Sequence, residues 1–149
     1  MNWDELEESL LEYKTPLQKV YEWQEIFGRQ GHIVADKPRL IDVDTAKFRK
    51  EFFFEEAEEY LEAVETEDLV KTFDALLDLQ FFLYGTVAIH GLQDVWEDGL
   101  KAVTASNFSK LGEDGKPVIR EFDGKVTKGP NFSPPEAILE ELLNAYRQD

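Results

Sequence analysis

The sequence predicts an all-α protein of the four-helix-bundle type, with a short extra helix at each end. Apolar residues recur at helical spacing through most of the chain, capping residues and glycines divide that pattern into segments of helical length, and no repeat, linker or low-complexity tract interrupts it. At 149 residues, 42% of them hydrophobic, the chain is long enough for one well-buried core and short for two. We therefore expect a single domain over 1–149.

The first elements follow from local start and stop signals. Residues 2–13 form a short amphipathic segment. The segment 16–27 has Thr15 as a candidate N-cap, Pro16 at its first position and Gly28 directly after it, so we predict a helix there.

Two long helices and a shorter one complete the predicted bundle. Asp44 or Thr45 can cap a helix that reaches about residue 65. The next helix begins after the cap signal at Thr66 and stops at Gly91, and the fourth extends to Ser106.

The remaining residues divide the predicted domain into three parts. The helical core covers about 16–110. The segment 111–134 is rich in turn formers and lysine and can hold a small hairpin at most. A final helix is predicted over 135–146.

The charge balance excludes several classes of partner. Lys and Arg number 16 against 32 Asp and Glu, for a net charge of −16, which repels nucleic acid and anionic lipid. The chain contains no cysteine, so it has neither disulfides nor thiolate metal ligands. Its start has no basic region followed by an apolar run. We expect a soluble cytoplasmic protein that binds neither nucleic acid nor membrane.

Glutamates interrupt the apolar face of the first long helix. With Phe48 set at zero and about 100° per residue, the apolar residues fall between roughly 40° and 240°. Glu56 falls inside this arc near roughly 80°, and Glu55 and Glu59 lie beside it near roughly 340° and 20°. The other glutamates of this segment form an ordinary solvated face: Glu51, Glu58, Glu62 and Glu65.

Two aspartates repeat this anomaly in the following helix. The segment 73–89 is apolar nearly all round, which predicts a central buried helix, yet Asp74 and Asp78 lie in it one turn apart. Buried acids are costly unless they are paired or bind a metal. Five acids from two neighbouring helices suit Mg²⁺, with Mn²⁺ as a substitute.

The alternative is that these acids form ion pairs with buried bases. The two helices offer four bases, and our phasing places none of them inside an apolar arc: Lys47, Arg49, Lys50 and Lys71.

Ordered motifs resemble a known enzyme superfamily. "EEAEE" at 55–59 fits an EExxE motif, and "DALLDLQFFLYGTVAIHGL", "SNFSKLGEDGKP" and "DGKVTKGPNFSPPEAI" follow in order. This set resembles the all-α nucleoside triphosphate pyrophosphohydrolases, which include MazG, the dimeric dUTPases and phosphoribosyl-ATP pyrophosphohydrolase. The likeness is greatest to small phage and bacterial MazG-like proteins, which implies the host cytoplasm as the location if the protein is phage-encoded. Asp78 resembles the aspartate of the family's ExxD motif, but Ala75 stands where that motif has glutamate, and Asp74 precedes it.

The resemblance implies Mg²⁺-dependent hydrolysis of a nucleoside triphosphate to the monophosphate and pyrophosphate. It implies that the metal ligands and catalytic acids are Glu55, Glu56, Glu59 and Asp78, with Asp74 as a further metal ligand. It also implies sugar or phosphate contacts from Asn107 and Lys110. Lys125 and Lys128 either close over the phosphates or are solvated loop residues.

The resemblance also suggests a base pocket and a partner. Trp23 and Gln24 correspond to positions that face the nucleotide in similar proteins, although a Trp in an amphipathic helix is commonly a core residue. A homodimer or a dimer of dimers is expected. The base stays open, with dUTP, dCTP and dGTP all compatible. Two other functions stay open: a non-catalytic acidic helical protein that binds a partner or mimics DNA, and a metal-dependent binder or hydrolase of another phosphate ester.

Overall fold

The protein folds as an all-helical chain. The computed structural model describes residues 15–146, which form five α-helices. In chain order these are α1 (Pro16–Phe27), α2 (Val43–Glu65), α3 (Leu69–Ile89), α4 (Trp96–Phe108) and α5 (Glu136–Asn144). The predicted all-α fold is confirmed, whereas the predicted segment 2–13 lies outside the described residues.

The helix starts depend on side-chain caps. The Thr15 hydroxyl accepts a hydrogen bond from the Gln18 amide at 3.2 Å, as the sequence predicted for α1. α2 begins before the predicted caps, because the carboxylate of Asp42 accepts bonds from both the amide and the hydroxyl of Thr45, at 2.8 and 2.7 Å. Asp68, rather than Thr66, caps α3 by accepting from the Lys71 amide at 3.0 Å.

The chain forms two compact units, the first ending at Gln93 and the second beginning at Asp94. In the first unit α3 packs against both α1 and α2. In the second, α4 packs against α5. The single domain that the sequence predicts over 1–149 stays a prediction.

Helix α3 is central in the first unit but is not buried all round. Ala75, Val87 and Ile89 are buried, whereas many of its larger apolar residues are exposed: Leu69, Val70, Phe73, Leu76, Leu77, Phe81 and Leu83. The prediction of a buried helix is therefore wrong for much of its surface. Two neighbouring helices cover only part of its circumference, which leaves the rest open.

By length and composition alone, α3 is the one helix of the described chain that could cross a membrane, with a mean hydropathy of 1.2. It also carries Asp74 and Asp78 and packs against two other helices. An apolar helix of this length is also typical of the centre of a helical bundle.

The segment between α4 and α5 folds back on itself. Antiparallel bridges join Leu111 to Pro117 and Ile119 to Val126, in agreement with the predicted small hairpin. The Gly129 amide donates to the Lys110 carbonyl at 3.0 Å, and this bond holds the end of the hairpin segment against the end of α4.

Candidate active site

Glu56 lies on the side of α2 that packs against α3. The buried residues of α2 are Thr45, Arg49 and Ala63. On the helical wheel with Phe48 at zero, Glu56 lies near roughly 80°, and these three residues lie near roughly 60°, 100° and 60°, in that order. Glu56 is partly buried, and its Oε2 atom is buried without a hydrogen-bond partner among the described residues. A buried carboxylate oxygen without a partner is costly, which points to a ligand at this atom.

The other four predicted acids lie around Glu56. The pKa of Glu56 is raised, first by burial and then by the charges of Glu59, Asp78, Glu55 and Asp74, in that order. The charges of acids on both α2 and α3 therefore act on Glu56, as the helical phasing predicted.

These four acids are more exposed than the sequence predicted. Glu55, Glu59, Asp74 and Asp78 are all exposed, so the expectation of inward-pointing acids is correct for Glu56 alone. The reason is geometric: α2 and α3 cover each other along one stripe, and the flank where these acids lie stays open.

The acids do not form a finished coordination shell. Within residues 15–146, no three carboxylate or imidazole side chains are grouped closely enough to hold a metal ion. Coulomb repulsion acts well beyond coordination distance, so the raised pKa of Glu56 and this spacing are compatible. The donor set consists of carboxylates and includes one buried oxygen without a partner, which fits a hard divalent cation such as Mg²⁺.

Ala75 stands where the ExxD motif has glutamate, and Asp74 is the acid nearest to it in sequence. Ala75 is 5% exposed and belongs to the buried side of α3. Asp74 lies about 100° around the helix and is exposed, so it does not occupy the place of the motif's glutamate. Its role as a metal ligand stays a prediction.

The positions of the basic residues on α2 differ from the prediction. The expectation that no basic residue lies inside an apolar arc is wrong for Arg49 and Lys50, which fall near roughly 100° and 200° on the same wheel. Lys50 is exposed, whereas Arg49 is 4% exposed. Arg49 contacts Thr86, His32 and the carbonyl and ring of Phe82. None of these described partners is a carboxylate, so Arg49 is not the ion-pair partner of the acids near Glu56 in the described contacts.

An exposed aromatic group lies next to the acids. Trp23 stacks on Phe27 with ring centroids 4.7 Å apart and meets Phe81 edge-on at 5.2 Å. Phe81 is three residues after Asp78, so the two side chains lie on neighbouring positions of α3. Sequence reasoning missed Phe81 as a site residue, although this spacing could have indicated it.

Gln24 is a core residue of the first unit. Its side chain is 5% exposed, and its Nε2 donates to the His32 carbonyl at 2.8 Å. A Cβ atom at Gly85 would lie 2.9 Å from Gln24 Oε1, so glycine is required for this close packing. The amide is thus engaged with the fold.

In the second unit the structure brings two predicted substrate residues together. Lys110 Nζ donates to Asn107 Oδ1 at 2.8 Å. Both residues line a groove of about 250 Å³, whose other walls are Phe108, Leu111, Pro117 and Val126.

The two loop lysines are exposed, and their described contacts are to other residues than this pair. Lys128 Nζ lies 4.6 Å from the centre of the Phe132 ring, and the Lys125 amide donates to Asp123 at 3.1 Å.

Comparisons with known proteins identify the family of the chain. The phosphoribosyl-ATP pyrophosphohydrolase family model matches residues 20–107, more than half of the chain and all of α2 and α3. The crystal structure of a "putative NTP pyrophosphohydrolase" from Exiguobacterium sp. 255-15 is 28% identical, covers 91% of this chain and 97% of its own, and superposes with a TM-score of 0.50. No curated protein matches the chain. The protein is therefore a pyrophosphohydrolase, and the chain belongs to the phosphoribosyl-ATP pyrophosphohydrolase family.

Proposed function

We propose that the protein hydrolyses a (deoxy)nucleoside triphosphate to its monophosphate and pyrophosphate, with Mg²⁺ as cofactor and Mn²⁺ as a substitute. The observation that carries this proposal is Glu56: a buried carboxylate oxygen without a described partner, surrounded by four further acids from two helices. Such an arrangement is unfavourable by itself and becomes favourable when a cation binds.

The acids have two tasks in this proposal. Glu55, Glu56, Glu59 and Asp78 hold the cation, with Asp74 as a further ligand. A bound divalent cation neutralises triphosphate charge and lowers the pKa of a coordinated water. A glutamate of the cluster then accepts the proton of the attacking water.

Other residues position the substrate. Asn107 and Lys110, already joined by a hydrogen bond, contact sugar or phosphate, and exposed Lys125 and Lys128 contact the phosphates. Trp23 is 43% exposed and offers a ring on which a base can stack.

Gln24 is proposed to act in base recognition together with Trp23. Its buried amide donates to the His32 carbonyl, so we propose that it holds α1 in place while Trp23 contacts the base. We propose substrates of the dUTP or dGTP type for nucleotide-pool control, in a cytoplasmic protein related to the small phage and bacterial MazG-like proteins.

Self-association completes the proposal. Large apolar side chains are exposed along α2 and α3, and we propose that they form an interaction site, because exposed apolar surface of this extent is unusual in a monomer. On α2 these are Phe48, Phe54, Leu61 and Val64, and on α3 they include Phe73, Leu76 and Leu77. A homodimer or a dimer of dimers would cover this surface.

One observation favours the non-catalytic alternative. Four of the five acids are exposed, as a protein that mimics DNA or binds a basic partner requires. This alternative gives no role to the buried Oε2 of Glu56, which has no partner among the described residues.

The test is a pyrophosphate-release screen over canonical and modified (d)NTPs in Mg²⁺, with EDTA as the blank. Glu56→Gln provides the inactive control and Glu62→Gln, on the exposed face of α2, the matched active one. We expect release from a small subset of substrates by wild type and Glu62→Gln only. Equal release by Glu56→Gln would remove the acid cluster from the mechanism.

A further inference from the structure

Arg49 joins α2 to α3 through three contacts. It is 4% exposed. Its Nε donates to Thr86 Oγ1 at 2.8 Å and its Nη2 to the Phe82 carbonyl at 3.2 Å. The guanidinium carbon also lies 4.1 Å from the centre of the Phe82 ring. One side chain thus fixes both the backbone and the side chain of α3 at residue 82.

Phe82 is held from α2 at two further points. Phe52 stacks on its ring at 4.6 Å, and Phe53 meets it edge-on at 4.8 Å. Aromatic pairs have preferred geometries, so these contacts restrict sliding and rotation of one helix against the other. Together with Arg49 they make residue 82 the most constrained point described between α2 and α3.

Helix geometry connects this point to the acid cluster. Glu56 is seven residues after Arg49, about two turns along the same side of α2, and Asp78 is one turn before Phe82 on α3. Arg49 contacts Thr86, whereas Phe52 and Phe53, later in α2, contact Phe82, which is earlier in α3. The two helices therefore run in opposite directions, and Glu56 lies at the same level as Asp78. A shift of α3 at Phe82 therefore moves Asp78 relative to Glu56.

The shape of Arg49, more than its charge, serves this role. Burial lowers the pKa of Arg49 to about 10, so it is protonated at neutral pH. Its third N–H group contacts His32 Nδ1 at 3.1 Å, and its described partners include no carboxylate. A planar fork of donors can make these bonds at once, whereas the single ammonium group of lysine cannot.

We propose that Arg49 is a positioning residue, whose contacts with Phe82 and Thr86 fix the register that places Glu56 opposite Asp78. This inference rests on the proposed function of the acid cluster. Arg49 does not touch substrate or metal in this role and acts through α3.

Arg49→Lys tests the proposal, because it keeps the charge and removes the fork. The matched control is Ala63→Gly. Ala63 is 4% exposed on the same side of α2, and it follows Glu56 by as many residues as Arg49 precedes it. Glycine weakens the helix at this position, which is away from Phe82. Denaturant midpoints in EDTA show whether the two variants lose comparable stability.

The first readout requires neither metal nor activity. The carboxyl carbon of Glu56 is titrated by NMR in EDTA. We expect its pKa to fall toward the ordinary value in Arg49→Lys, because the acids move apart, and to stay raised in Ala63→Gly.

The second readout is pyrophosphate release. We expect Arg49→Lys to lower kcat by about 10²-fold, the size of effect that a displacement of about 1 Å produces, with a higher half-saturating Mg²⁺ concentration. Ala63→Gly should keep both values. If both variants keep the wild-type kcat and the raised pKa of Glu56, Arg49 is a structural residue only and the proposal is wrong.

Two further outcomes have their own tests: an Arg49→Lys variant that does not fold, and a wild type without pyrophosphate release. If Arg49→Lys does not fold, Thr86→Val keeps the size of the side chain and removes the Thr86 hydroxyl, which accepts from Arg49 and donates to the Phe82 carbonyl at 2.9 Å. A smaller change in the same direction supports the proposal, and wild-type values overturn it. If the wild type releases no pyrophosphate from any triphosphate, the proposed function fails, while the titration of Glu56 still decides whether Arg49 sets the spacing of the acids.

Discussion

Glu56 on α2 and Asp78 on α3 are electrostatically coupled across the helix pair. The pKa of Glu56 is raised first by burial, next by the charge of Glu59 on its own helix, and then by Asp78. The metal-free protein therefore holds a carboxylate in a place that disfavours its charge. Such strain is common where a site is built for a cation.

Glu56→Gln should separate a functional acid from a structural one. The substitution keeps the shape and removes an unfavourable charge, so we expect stability in EDTA to hold or to rise by about 1 kcal/mol. Turnover should fall by orders of magnitude, because a carboxylate is lost where charge develops in the transition state. Denaturant midpoints in EDTA and pyrophosphate release in Mg²⁺ measure the two effects.

Glu62→Gln is the control, since Glu62 is exposed on the same helix and should change little in either assay. If Glu56 were instead half of a buried ion pair, its substitution would destabilise by roughly 3 to 5 kcal/mol. A much less stable Glu56→Gln protein with normal specific activity would contradict the assignment.

Local signals predicted the elements well. The bounds of α1 follow from Thr15, Pro16 and Gly28, which act within one turn of the helix ends. The meeting of acids from α2 and α3 also followed from the helical period, which is a property of sequence alone.

Burial could not be predicted in the same way. The apolar arc of α2 spans roughly 200°, and the sequence does not say which part of it a neighbour covers. The covered part includes Arg49 and Ala63, while Phe54 and Leu61 stay exposed. For the same reason the acids of the cluster were expected nearer to the core than they lie.

The pH dependence of stability should report on Glu56 in the metal-free protein. Its folded pKa is raised above the ordinary 4.5, so the folded state binds the proton more tightly than the unfolded state. The contribution of this group to stability therefore falls as pH rises from about 4.5 through the folded pKa. The stability gained by Glu56→Gln should grow between pH 5 and 7.5 in EDTA; a gain that is constant over this range would show that Glu56 is not perturbed.

His32 should affect stability with the opposite sign. Burial first, and the charge of Arg49 second, lower its pKa below 6.5 in the folded state, although Asp42 opposes them. The contribution is complete above about pH 6.5 and is lost as pH falls through the folded pKa. NMR titration of the ring should give a pKa below 6.5, and His32→Asn should lose less stability than wild type between pH 7.5 and 5.5. A ring pKa above 6.5 would contradict the contact between His32 and Arg49.

Metal binding should stabilise the folded protein. A cation at about 100 times its dissociation constant adds about 2.7 kcal/mol, so the melting temperature should rise clearly when Mg²⁺ replaces EDTA. Glu56→Gln should reduce this rise, while Glu62→Gln should keep it. Coincident melting curves of the wild type in saturating Mg²⁺ and in EDTA would remove the metal site from the proposal.

The products of the reaction test the central claim most directly. Because the proposed site holds the terminal phosphates as one leaving unit, Mg²⁺-dependent hydrolysis should yield a nucleoside monophosphate and pyrophosphate in equal amounts. Chromatography of the nucleotide, with separate assays for pyrophosphate and orthophosphate, identifies the bond that breaks. We predict monophosphate and pyrophosphate from the wild type and neither from Glu56→Gln. A nucleoside diphosphate with orthophosphate, or equal turnover by both proteins, would contradict the account.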